Sequence, residues 1–147
     1  FRSDGKIIKK SSFKVEIDAK VKVAPHDNYV SRSAYKLKEF LSELNLNLKD
    51  KVALDIGSST GGFTQILLEN GVKEVSSVDV GSNQLDKKLR DDSRIFLYEN
   101  CDIRKFKSDK EFHIVVSDVA FISLLYILDD IDRLSYCDIV LLFKPQF

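Results

Sequence analysis

The sequence predicts an α/β fold: a mainly parallel sheet with helices on both faces. Three observations predict it. From residue 51 onward, apolar runs of strand length alternate with amphipathic runs of helix length. The strand runs, at 51–56, 75–80, 95–98, 112–116 and 138–143, are mostly apolar along their length, as strands buried on both faces are. Polar residues fall at or near the carboxyl ends of these runs: Asp55, Asp79, Asp118 and Lys144, with Asp102 just beyond the third. Open parallel sheets bind ligands at that edge, at the point where strand order reverses.

Residues 4–10 and 13–23 read as two short strands. In the second, Phe13, Val15, Ile17, Ala19, Val21 and Val23 alternate with polar residues, and Gly5 and Ser11-Ser12 supply turn signals. Such a hairpin is too small to fold alone. Pro25-His26-Asp27-Asn28 reads as a linker, which divides the chain into 1–24, a linker over 25–30, and a main domain over 31–147. Ser31 is placed to cap a helix over 32–46, whose Ala34, Leu37, Phe40, Leu41 and Leu44 share one face. Further helices are expected over 60–69, stopped by Asn70-Gly71, over 84–90 and over 124–134.

The chain has 147 residues with 23 basic and 23 acidic side chains, enough for one domain with a sizeable core. The balance hides an asymmetry: residues 1–40 hold ten Lys/Arg against five Asp/Glu, and the remainder thirteen against eighteen. A basic arm on an acidic body suits contact with a phosphate backbone. The apolar runs are strand-sized, far short of the roughly 20 residues that cross a bilayer. The start, Phe1-Arg2-Ser3-Asp4, resembles no signal peptide and reads as the interior of a longer chain. Cys101 and Cys137 have neither metal-ligand spacing nor a disulfide framework, so no metal and a cytoplasmic setting are expected. His26 and His113 read as structural, and Ser117 and Ser123 have no adjacent His, which argues against a hydrolase triad.

The loop Asp55-Ile56-Gly57-Ser58-Ser59-Thr60-Gly61-Gly62-Phe63 joins the first buried strand to a helix. Its glycines permit positive φ and close approach of a ligand, and the helix start offers free N–H groups. The spacing D-x-G-x-x-x-G-G is neither the G-x-G-x-x-G of a dinucleotide loop nor a P-loop. An acid two positions before the first glycine would repel a pyrophosphate and suits a ligand with a cationic amino group, such as S-adenosylmethionine. Asp79, at the end of the second strand, can accept from both ribose hydroxyls, and Asp102 from the adenine amino group. A nicotinamide oxidoreductase on a similar fold is the competing reading, and the loop spacing argues against it.

These residues carry a resemblance. Tyr29-Val30-Ser31-Arg32-Ser33-Ala34-Tyr35-Lys36-Leu37 resembles the VSR-x-x-x-KL helix of ribose methyltransferases. The glycine loop through Thr64, Val78-Asp79-Val80-Gly81 with Gln84-Leu85, and Asp102-Ile103-Arg104 continue the match; residues 118–124 and Lys144-Pro145-Gln146-Phe147 complete it. Together they resemble the TlyA (haemolysin A) family within the FtsJ-like superfamily, over 29–147. Ser33-Ala34 stands where many members carry Gly-Gly, a departure toward the FtsJ pattern.

The resemblance implies a Rossmann-like S-adenosylmethionine-dependent methyltransferase fold and methylation of ribose 2′-hydroxyls in ribosomal RNA. It implies that residues 1–24 are the tail of an amino-terminal RNA-binding domain. It implies a cofactor site of Asp55, Gly57, Ser58, Ser59, Thr60, Gly61, Gly62, Phe63, Asp79, Val80, Asp102, Ile103 and Asp118. Lys36, Asp118 and Lys144 match the first three members of the superfamily's Lys-Asp-Lys-Glu catalytic set; the Glu is expected beyond Phe147, with the rest of the sheet. Lys144 is then the proton acceptor or hydroxyl-positioning group. Arg32, Lys36 and Lys38 are expected to contact RNA phosphates. Tyr29 could stack on a base, while Tyr35 and Phe63 are expected to pack in the core. A non-catalytic RNA-binding or ribosome-assembly module is the alternative. The haemolysin label raises a membrane-lytic virulence factor as another, and the sequence has no strongly amphipathic basic helix to support it.

Overall fold

A computed structural model of the chain describes residues 2–3, 6–7, 14, 19–22, 28–120 and 124–143. Lys144 and much of the expected hairpin lie outside the described residues. The described residues form two sheets. The small one joins β1 (Arg2–Ser3), β2 (Lys6–Ile7) and β3 (Val21–Lys22). β1 is central and pairs antiparallel with both neighbours, whereas the sequence reading paired the segments carrying β2 and β3 with each other.

The main sheet has five parallel strands: β4 (Val52–Ile56), β5 (Glu74–Val78), β6 (Ile95–Tyr98), β7 (Phe112–Ser117) and β8 (Ser135–Leu141). Their spatial order is β6-β5-β4-β7-β8. The chain therefore winds outward from β4 and returns to its other side at β7, which sets the switch point between the carboxyl ends of β4 and β7. The helices are α1 (Ser33–Leu44), α2 (Gly62–Glu69), α3 (Lys87–Arg90) and α4 (Leu128–Leu134). The 124–134 run is broken by a turn at 126–127, and a 3-10 turn not expected from the sequence spans Ile103–Lys105.

Side chains on successive strand residues point to opposite faces, and the core divides accordingly. Ala53, Val75, Ile114 and Val116 pack under α1 and α2, against Leu37, Leu41, Phe63, Ile66 and Leu67. Leu54, Ile56, Val78 and Val115 pack on the other face with Ile103, Phe106, Phe112, Ile131 and Leu134. Burial on both faces explains why these strands read as apolar runs rather than alternating ones.

Ser31 does not cap α1. Arg32 occupies the cap position without a side-chain bond, and the Ser31 and Ser33 hydroxyls bond each other at 2.6 Å. The reason is α2: its first residue, Gly62, sits so close that a Cβ there would collide with both hydroxyls. Residues 28–30 of the expected linker are also tied to α2. Gln65 donates to the Asn28 carbonyl at 3.2 Å and accepts from the Val30 amide at 3.0 Å.

Gly62→Ala would gain about 1 kcal/mol in helix propensity, but it must push α1 away. The expected net result is a loss of about 1–3 kcal/mol in urea unfolding, largely restored by pairing it with Ser31→Gly and Ser33→Gly.

Candidate functional site

The loop after β4 is built to bring backbone close to a ligand. Gly57 has φ +76°, and a Cβ there would lie 2.6 Å from Val119 Cγ1; Gly61 caps α2 at φ +94°. The Gly57 amide donates to the Val78 carbonyl at 2.8 Å, which anchors the loop across the tip of β5. Ser59 also has positive φ, at 48°.

Two clefts meet at Gly57. One, of about 260 Å³, is mainly apolar and is lined by Ile56, Val78, Val80, Ile103, Val119 and Ile127, with Asp79, Asp102 and Arg104 as its charged groups. The other, of about 250 Å³, is polar: Ser31, Ser33, Ser58, Ser59 and Thr60 surround Asp55 and Asp118. Phe63 lines the polar cleft and also a third hollow where Lys36, Leu37 and Phe40 face residues 140–142 of β8 and its end. Lys36 and Asp118 therefore stand at the same sheet edge, in neighbouring hollows that share Phe63.

Asp79, Asp102 and Asp55 are held differently. Asp79 accepts from the Ser59 amide and the Gly81 amide, both at 2.7 Å, so its carboxylate is fixed at the mouth of the apolar cleft. Asp102 accepts from the Arg104 amide at 3.0 Å and pairs with the Arg104 guanidinium. Those hydrogen bonds, side chain first, hold its pKa down at about 2. Asp55 is only 1% exposed. Burial raises its pKa to about 7, against the pull of hydrogen bonds from the Thr64 hydroxyl and amide, and Asp79 and Asp118 add like charge.

The described residues of the expected cofactor set gather around these clefts, Gly61 and Gly62 by shaping the loop and α2. The expected RNA contacts Arg32, Lys36 and Lys38 are all exposed. Lys38 donates to Tyr29 Oη at 2.6 Å, at the hydroxyl edge of a ring that Tyr35 meets edge-on at 4.9 Å, and Tyr29 donates to Glu69 at 3.2 Å. Tyr29 and Lys38 are thus bound into the α1–α2 junction. Sequence reasoning missed Ser33, Arg104, Val119, Tyr126 and Ile127. Each reaches its cleft through tertiary packing that leaves no periodic trace, although the departure at Ser33-Ala34 marked one of them. No group of acids, His and Cys fit to hold a metal occurs among the described residues.

The profile of the FtsJ-like methyltransferase family matches residues 29–147. The chain belongs to this family. It is 55% identical over 119 residues to the 23S rRNA (cytidine-2′-O)-methyltransferase TlyA of Campylobacter jejuni, covering 81% of this chain and 47% of that protein. It is 38% identical over 152 residues to hemolysin A of Brachyspira hyodysenteriae, covering 98% of this chain and 62% of that protein. A Lactococcus lactis protein named as a candidate hemolysin has a crystal structure that superposes with TM-score 0.69 at 41% identity, over 74% of this chain and 54% of that one. The chain spans about half the length of the curated relatives it matches. The expected fold is therefore the family's fold.

Because the folded pKa of Asp55 lies above its unfolded value of 3.8, the folded state holds the proton more tightly. Stability from this group is full below about pH 4 and is lost as pH rises through 7. Asp55→Asn should flatten that slope, so that urea midpoints of variant and parent agree near pH 4 and the variant is the more stable by a few kcal/mol at pH 8.

Proposed function

We propose that this chain is the S-adenosylmethionine-binding catalytic portion of a ribosomal-RNA ribose 2′-O-methyltransferase. The observation that carries the reading is the pair of clefts meeting at Gly57. The apolar cleft, with Asp79 and Asp102 at its rim, suits adenine and its ribose. The polar cleft, with Asp55 and Asp118 among hydroxyls, suits an amino-acid end whose ammonium needs carboxylates. A donor across Gly57 would fill both. The names of the relatives support ribosomal RNA as the acceptor, since the Campylobacter protein is named for 2′-O-methylation of 23S rRNA.

S-adenosylmethionine, when bound, supplies a methyl group already activated by its sulfonium charge. The protein's task is alignment and proton removal. Asp79 orients the ribose end, and Asp55 and Asp118 the amino end. The acceptor oxygen must be held about 3 Å from the methyl carbon and in line with the bond that breaks. Lys36, exposed beside the end of β8, is suited to hold the RNA there. Lys144 follows Phe143 in the sequence and is assigned, through the resemblance, to take or position the hydroxyl proton.

Calorimetry should show stoichiometric binding of S-adenosylhomocysteine, weakened at least tenfold by Asp79→Ala. Tritium from labelled donor should enter 23S rRNA as alkali-resistant linkages, the mark of a blocked 2′-hydroxyl. Lys36→Ala and Lys144→Ala should each cut transfer about 100-fold with donor affinity nearly unchanged. Label found only on bases, or NAD binding without S-adenosylhomocysteine binding, would sink the proposal. The hemolysin names carried by two relatives suggest lysis, but among the described residues no helix is long and apolar enough to cross a membrane. Dye release from liposomes by the pure protein tests that reading, and none is expected.

A further inference from the structure

Asp55, Thr64 and Ser77 are each buried, at 1%, 0% and 0% exposure. They come from three elements. Asp55 and Ser77 are register partners on the parallel strands β4 and β5, and Thr64 lies in the first turn of α2. Thr64 Oγ1 is 2.6 Å from Asp55 Oδ2 and 2.8 Å from Ser77 Oγ. A hydroxyl has one proton to give. When Asp55 is ionised, Thr64 must donate to it and can accept in turn from Ser77. When Asp55 is protonated, the sense can reverse: the acid can donate to Thr64, and Thr64 to Ser77. The triad thus satisfies Asp55 in both protonation states, which a backbone N–H, a donor only, could not do.

We propose that Thr64, backed by Ser77, is a positioning residue that holds Asp55 toward the cationic amino end of the donor, and that seating this cation releases a proton from Asp55. The proposal rests on the donor reading above. The neutral acid without the cation becomes a carboxylate facing an ammonium, and the proton leaves to solvent. Two features of the molecule and one general rule favour this linkage. Asp55 lines the polar cleft although almost none of it is exposed. Its ordinary charge is opposed by burial and by Asp79 and Asp118, the charged groups that act on it. An added cation reverses that balance, because an opposite charge at hydrogen-bond range favours the ionised form.

The test is calorimetry of S-adenosylhomocysteine binding between pH 5.5 and 8, in buffers of different ionisation enthalpy. The expected result is release of part of one proton near pH 7, falling toward zero at pH 8, with affinity rising up to tenfold per pH unit below the midpoint. Thr64→Val removes a bond that favours the carboxylate. It should move the affinity profile to higher pH, weakening binding several-fold at pH 7, and Thr64→Ser should restore the parent profile. Ser77→Ala, which leaves Asp55 its direct partner and keeps the test valid if Thr64→Val folds poorly, should shift the profile in the same direction by less. Asp55→Asn should abolish proton release. Enthalpies independent of buffer, or profiles in both the Thr64→Val and Ser77→Ala proteins lowered uniformly at every pH, would overturn the linkage while leaving the donor site standing. Failure of S-adenosylhomocysteine to bind at any pH would overturn both.

Discussion

A buried carboxylate near the tip of the central strand is the constraint around which the site is organised. β4 lies in the middle of the sheet, paired on both edges and covered on both faces. Its last residues therefore have little access to water. Placing Asp55 there carries a desolvation cost that an apolar residue would avoid. Thr64 offsets part of that cost from α2, and this ties the orientation of the helix to the orientation of the acid. The same helix start brings Gly62 against Ser31 and Ser33, so α1 is placed by contact with the glycine loop. The chain Asp55–Thr64–Gly62–Ser31 thus couples the central strand to the helix that presents Lys36.

The division of the site into an apolar and a polar cleft follows from sheet topology. β5 and β6 extend away from one side of β4, and their ends contribute Asp79, Val80, Asp102 and Ile103. α1 and the loop start of α2 cover the other side and contribute hydroxyls. Gly57 is the common wall because Val119, arriving after β7, leaves no space for a side chain there. A larger residue at 57 would need both an unfavourable φ and a displaced Val119. The glycine at this position is explained by that crowding as well as by loop curvature.

The sheet was legible because its strands are buried on both faces and so carry runs of apolar residues with carboxylates at one end. Strand 95–98 was read to the residue. The site acids were legible for a related reason, since Asp55, Asp79 and Asp118 stand at or near the carboxyl ends of the strand runs and Asp102 just beyond one. Less legible were features set by contacts between distant segments. Ser31 has the right chemistry and place for a cap, yet its hydroxyl turns to Ser33 because α2 crowds it. Lys38 reads as an RNA phosphate contact, yet its exposed ammonium already donates to the Tyr29 hydroxyl. Thr64 and Ser77 look like a helix polar residue and a strand polar residue. Their partnership appears only when β4 and β5 are set side by side in register and α2 packs on them.

Asp102 and Arg104 show how a local motif can hide and then expose a binding group. The turn at Ile103–Lys105 begins with the Asp102 side chain accepting from the Arg104 amide, and the guanidinium then folds back over the same carboxylate. An ionised carboxylate has about four acceptor directions, and Arg104 engages both oxygens through its amide, Nε and Nη2. An adenine amino group reaching Asp102 must therefore displace part of the guanidinium. Arg104 is well exposed, with 60% of its side chain accessible, so its charge can move into water with little loss, as exposed ion pairs generally can. The amide bond would remain and keep the carboxylate aimed. Arg104 thus holds the charge of Asp102 in the free protein, and the adenine contact expected of Asp102 would require the guanidinium to give way while the amide bond stays.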